Sequence, residues 1–231
     1  MFYFNPQYLI YMVPALLAML AAQLFVNSTY RKWGQIRTRS GLSGSDVAQR
    51  LISGGRLYDL KLQQIPGQLT DHYDPRKKVL SLSTGVYQGD SVASVAIAAH
   101  ELGHALQDHE GYFPLRLRSM LVPAVNIGST LGWILIMVGL VLNLIGIAWL
   151  GVFAFSGGAL FALATLPVEL NASARAKELL SSSGIILTPE EKKGVNSVLN
   201  AAALTYVAAL FTAVMQLLYW VSIVGGGRRR R

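Results

Sequence analysis

Long apolar blocks alternate with mixed segments along this chain. Tyr8 to Val26 holds no charged residue and is interrupted only by Pro14 and Gln23; about 20 such residues suffice for a helix to cross a bilayer. Met120 to Leu142 and Leu144 to Leu166 are uncharged runs of the same order, separated only by the neighbourhood of Asn143, and they predict a tight transmembrane hairpin. A fourth run at about Ser197 to Val224 predicts a last span. Gly128, Gly132, Gly139, Gly151, Gly157 and Gly158 within the hairpin suit close helix packing rather than chemistry.

Between the blocks the period changes. Asp46 to Ile52 has helical spacing, with Val47, Leu51 and Ile52 on one side and Gly54-Gly55 as a stop. Leu60 to Ile65 and Gln68 to Tyr73 read as short extended pieces around Pro66-Gly67, followed by Asp74-Pro75 and a strand at Lys78 to Leu82. A helix is expected from about Ser91 or Val92, with Asp90 or Ser91 at its N-terminus, to the region Asp108 to Gly111. After the hairpin, Pro167 to Asn171 returns the chain. Asn171 to Ser183 predicts a helix with Ala172, Ala176, Leu179 and Leu180 inward and Gly184 as its end. Thr188-Pro189-Glu190-Glu191 has the form of a helix start, and that helix runs on toward the fourth span.

Composition supports a membrane protein: 52% of the 231 residues are hydrophobic and 14% charged, against roughly 25% charged in soluble domains. The net charge of +8 comes without an aromatic-basic motif, so nucleic acid is not an expected partner. Orientation explains the charge better. No lysine or arginine precedes the first apolar run, whereas Arg31, Lys32, Arg37 and Arg39 follow it. This argues against a cleaved signal peptide and predicts an external N-terminus and a cytoplasmic segment after the first span, in the plasma (inner) membrane. Four crossings would leave the basic tail Arg228 to Arg231 outside, against the same rule; an interfacial last helix would remove the conflict. The tail itself suits anionic headgroups or plain solvation.

The chemistry lies in Ala99-His100-Glu101-Leu102-Gly103-His104. Histidines four apart share one helix face, so both can meet a single zinc ion while Glu101 reaches toward its water. The surrounding residues are small and apolar, and burying these groups without a partner would be costly. With no cysteine in the chain, the remaining ligand must be histidine or carboxylate. His109 follows His104 by five residues and Glu110 by six, which does not meet the metzincin pattern. His72 suits either a turn histidine bonded to Asp71 or Asp74 or a substrate contact. Glu169 is the strongest candidate: two crossings bring the chain back to the motif's side, and Ala172, Ser173 and Ala176 would let its helix pack closely. Its bland alternative is an interfacial acid paired with Arg175 or a neighbour.

These segments, with Asp71-His72-Tyr73-Asp74-Pro75-Arg76 and Leu166-Pro167-Val168-Glu169-Leu170-Asn171-Ala172-Ser173, resemble the bacterial neutral zinc metallopeptidases of the YugP-like membrane type. The likeness extends over nearly the whole chain. It implies an integral membrane zinc protease with His100 and His104 as ligands and Glu101 as general base. The layout is also similar to the HtpX and CAAX-processing membrane gluzincins, whose Glu-x-x-Ala segment supplies the third ligand; Glu169 to Ala172 fits it. An aspartate often follows that alanine as a partner for a zinc histidine, and here the residue is Ser173.

The expected fold is mainly α and integral to the membrane, with about four transmembrane helices and a small α+β cytoplasmic zincin-like part. Residues 1–231 would form one metallopeptidase domain, with spans at about 8–26, 120–142, 144–166 and 197–224 and soluble portions 27–118 and 167–196. The expected reaction is peptide-bond hydrolysis with Zn2+ on protein or peptide substrates, at the bilayer. His72, Arg175 and Tyr206 are candidate contacts to substrate or transition state, and the sequence does not choose among them. Substrate would lie extended along Lys78 to Leu82. The rival from another class is a membrane scaffold or interaction protein with a structural or inactive zinc site; a transporter is disfavoured because the spans carry no ionisable residue before Glu169.

Overall fold

A computed structural model describes residues 6–54 and 57–226; Gly55 and the basic tail from Gly227 lie outside them. Among the described residues four helical segments are long and apolar enough to cross a membrane: Pro6–Trp33, Phe113–Val141, Ile145–Ser182 and Pro189–Gly226. The protein is mainly α and integral to the membrane, with one small sheet. Its contacts divide it into two compact units, one of Met1–Ala22, Arg116–Pro167 and Thr205–Arg231, the other of Gln23–Leu115 and Val168–Leu204.

The apolar unit takes its residues from helices α1 (Pro6–Trp33), α5 (Phe113–Val141), α6 (Ile145–Phe155), α7 (Gly157–Ser182) and α8 (Pro189–Gly226). The turn between α5 and α6 closes at Asn143, whose φ of 56° is a left-handed value that asparagine tolerates better than most residues. Helix α6 lies against α5 at backbone distance. A Cβ on Gly132 would sit 2.8 Å from the Gly151 carbonyl oxygen, and one on Gly151 would sit 2.6 Å from the Ile136 nitrogen. Gly139 meets the Ala148 backbone in the same way. Ile136, Ala148, Val152 and Val224 are buried around these contacts.

In the other unit, α2 (Gly44–Gly54) and the sheet pack on α4 (Val92–His109). The strands β1 (Lys61–Ile65), β2 (His72–Asp74) and β3 (Val79–Ser83) have the order β1-β3-β2, β1 running parallel and β2 antiparallel to β3. The second extended piece begins later than its composition suggests. Gly67 and Leu69 both have positive φ, and the Thr70 hydroxyl closes on the Pro66 carbonyl, so the turn consumes residues through Thr70. The expectation that substrate pairs along Lys78 to Leu82 is overturned. Strand β3 is central and its hydrogen-bonding edges are taken by β1 and β2; among the described residues only those two strands present an open edge.

The helix expected to begin at Asn171 is the second half of α7, which runs unbroken through Pro167. A proline removes one helical hydrogen bond and bends the helix without having to end it. Packing carries the helix onward: Val168, Ala172, Ala176 and Leu180, spaced four apart on one face, are all buried. Helix α8 starts at Pro189 with Glu191 accepting from the Thr188 backbone N–H, and it continues to Gly226 in one piece.

Candidate metal centre

The motif helix starts where Ser91 caps it, its hydroxyl oxygen accepting the Ser94 backbone N–H at 3.1 Å. Val92, Val95, Ala96, Ala98, Ala99 and Leu102 are buried in the core shared with Leu80, Leu82 and Val47. Removing such side chains from water contributes about 25 cal/mol per Å2, so α4 is held by its apolar faces while its polar residues are left to do chemistry. At its C-terminal end Asp108 accepts from the Tyr73 hydroxyl at 2.6 Å and from the Lys78 ammonium, which ties the sheet to the helix. Burial first, and then the Asp108 carboxylate, push the Tyr73 hydroxyl well above its ordinary pKa.

Gly103 lies between the two histidines and faces Ala172 of α7. A Cβ there would stand 2.5 Å from the Ala172 carbonyl oxygen, so the two helix backbones touch at this point. One turn back from Ala172, Glu169 then points between the imidazoles. Its Oε2 is 3.3 Å from Nε2 of His100 and 3.3 Å from Nε2 of His104. The three ligand atoms lie within 4.8 Å of one another. The side chains are 11%, 12% and 2% exposed respectively for His100, His104 and Glu169, so water does little to screen them.

The outward nitrogens of both rings have partners. His104 Nδ1 is 3.0 Å from Gln107 Oε1, and His100 Nδ1 is 3.2 Å from Ser173 Oγ. Such bonds at Nδ1 hold the rings with their Nε2 edges toward Glu169. Burial alone would lower the His104 pKa, but the carboxylates of Glu169 and Glu101, with Gln107, outweigh it and raise it. The cluster therefore favours a positive charge between its three donors. A tetrahedral zinc with ligands at about 2.0–2.1 Å sets neighbouring ligand atoms about 3.3–3.4 Å apart. The two measured separations of 3.3 Å fit that edge. Glu101, next to His100 on α4, is half-buried.

The sequence profile of the family described as "Putative neutral zinc metallopeptidase" matches residues 8–225. The chain belongs to that family. A protein of Bacillus subtilis (strain 168) described as "Putative membrane protease YugP" is 44% identical over 207 residues, 90% of this chain and 92% of that protein. No solved structure matches the chain. Membership of this family implies Zn2+, and His100, His104 and Glu169 are the grouped donors that could hold it.

Other residues singled out by the sequence lie elsewhere. His72 is exposed on β2, with Nδ1 2.9 Å from the Thr70 carbonyl, while Asp71 accepts from the Ser83 backbone and hydroxyl. Burial pushes the Asp71 carboxyl up, and the Ser83 donors offset part of that. His109 is exposed as the last residue of α4. Arg175 is engaged with Glu110 at 2.7 Å and with Asn171 Oδ1 at 2.7 Å, and its guanidinium lies over the Tyr112 ring. The ion pair of Glu169 with Arg175 is thus replaced by one between Arg175 and Glu110. Tyr206 is a half-buried residue of α8 in the apolar unit.

Sequence reasoning passed over Gln107. It is fully buried and donates through Nε2 to the Val168 carbonyl at 2.8 Å and to Asn171 Oδ1 at 3.0 Å. The available signal was its position three residues after His104, on the same helix face. Ser173 stands at the position after Ala172 where the similar membrane gluzincins often carry an aspartate, and its hydroxyl meets His100 at a distance a serine can serve.

Proposed function

We propose that the protein is a zinc-dependent membrane endopeptidase in which His100, His104 and Glu169 hold the metal and Glu101 is the general base. The observation that carries this is the pair of 3.3 Å separations from Glu169 Oε2 to the two Nε2 atoms, among side chains that are nearly all buried. When bound, zinc supplies Lewis acidity, acidifying a water and polarising the scissile carbonyl. Glu101 would accept a proton from the attacking water and return it to the leaving amine, so one carboxylate would serve as base and then as acid. The bonds from Gln107 and Ser173 keep the imidazoles from rotating away. The family match over residues 8–225 supports reading the chain as one functional domain. Arg31 and Lys32 in the last turn of α1, with Arg37 and Arg39 after it, support a cytoplasmic catalytic face in the plasma membrane.

Metal analysis of purified full-length protein tests the ligand set, together with cleavage of a casein-like substrate. Wild type should carry one zinc per chain, and its cleavage should be abolished by chelator and restored by added zinc. His104→Ala and Glu169→Ala should lose both metal and cleavage. Unchanged zinc content with full activity in Glu169→Ala would remove Glu169 from the ligand set. Retained zinc with no cleavage of any offered protein by the wild type would favour the scaffold reading.

A further inference from the structure

We infer that Gln107 is a positioning residue that fixes the tautomer of His104, and that Asn171 and Arg175 in turn fix Gln107. This rests on His104 being a zinc ligand. The direction of each hydrogen bond follows from which groups can only donate or only accept. Arginine has no acceptor, so its Nε contact of 2.7 Å requires the oxygen of Asn171 to face it. The same Oδ1 lies 3.0 Å from the Gln107 amide. That end of Gln107 must therefore be its NH2. The Val168 carbonyl, which can only accept, imposes the same orientation at 2.8 Å.

With its NH2 committed to α7, Gln107 turns Oε1 toward His104 at 3.0 Å. An amide oxygen cannot donate, so the proton on the neutral imidazole must be at Nδ1. Nε2 is then left with its lone pair, facing Glu169 Oε2. Arg175 is itself held by Glu110 at the end of α4. The chain of bonds begins and ends on α4 and passes through α7, so it also secures the contact between the helices that brings Glu169 to the histidines. Burial of Gln107 excludes the water that would otherwise offer His104 a partner of either polarity.

Full-length variants in detergent test this by chelator competition for zinc and by the visible absorption of the Co2+-loaded protein. Gln107→Met keeps the volume and removes both ends of the amide. It should weaken zinc binding about ten- to hundred-fold and change the Co2+ spectrum. Asn171→Leu should cost less, because the Val168 carbonyl still orients the amide, and Asn171→Asp should restore most of that loss by keeping the acceptor oxygen. A glutamine that only packs would lower the melting temperature and leave zinc affinity and spectrum unchanged; that result overturns the proposal. If Gln107→Met fails to fold, the Asn171 pair decides, and equal zinc affinity in Asn171→Leu and Asn171→Asp overturns it. Unchanged zinc binding in His104→Ala would instead overturn the ligand reading on which the inference stands.

Discussion

The α5–α6 pair of the apolar unit and the α4–α7 pair of the unit with the candidate metal centre both bring helix backbones into contact through glycine. In the first, the contact recurs at Gly132, Gly139 and Gly151, and the surrounding buried side chains are aliphatic. In the second, it falls on Gly103, between two histidines and one turn from Glu169. The first arrangement is distributed, and each glycine adds a share of packing. The second is concentrated, because the distance between α4 and α7 is also the distance between the candidate metal donors. The same substitution should therefore act on stability in one place and on chemistry in the other.

The sharpest separation of chemistry from packing is Glu101→Gln. It should reduce peptide hydrolysis about 100- to 10,000-fold while leaving zinc content and melting temperature unchanged; loss of zinc as well would place Glu101 among the ligands. Next comes Gly103→Val, whose side chain cannot fit against Ala172 without separating the helices. Overpacking of this kind costs about 1–3 kcal/mol, and here it should also take most of the zinc affinity, measured by chelator competition on the folded fraction. Tight zinc binding in Gly103→Val would break the comparison. Gly139→Val should cost a similar ~1–3 kcal/mol, seen as a lower melting temperature, with zinc affinity of the folded protein unchanged. The smallest effect is expected for Asn143→Ala, where a left-handed φ of 56° should cost about 1 kcal/mol, read in the same melting assay.

What could be read from the sequence depended on how local the signal was. The His100–His104 pair needed only helical spacing, and Ser91 and Pro189 marked helix starts by their own chemistry. Glu169 could be singled out because it is the first ionisable residue after the hairpin, so topology did the work of contact information. The strand order could not be read, since pairing β1 with β3 across an intervening strand depends on partners far apart in sequence. Pro167 signalled a break, yet the buried stripe from Val168 to Leu180 carries α7 through it, which is tertiary packing overriding a local preference. Gln107 was invisible for another reason: a glutamine beside a motif has no special pattern, and its role comes from which groups on α7 happen to accept its protons.

The central position of β3 limits how much of a peptide the sheet could grip. A chain docking on β1 could pair over five residues and one on β2 over three. At about 3.3 Å per residue these are reaches of roughly 17 and 10 Å. A ladder that short can set the direction and register of a bound segment, but it cannot read a long sequence. Selectivity for one protein over another would then have to come from side-chain contacts near the cut or from the substrate's own location at the membrane, rather than from extended backbone pairing.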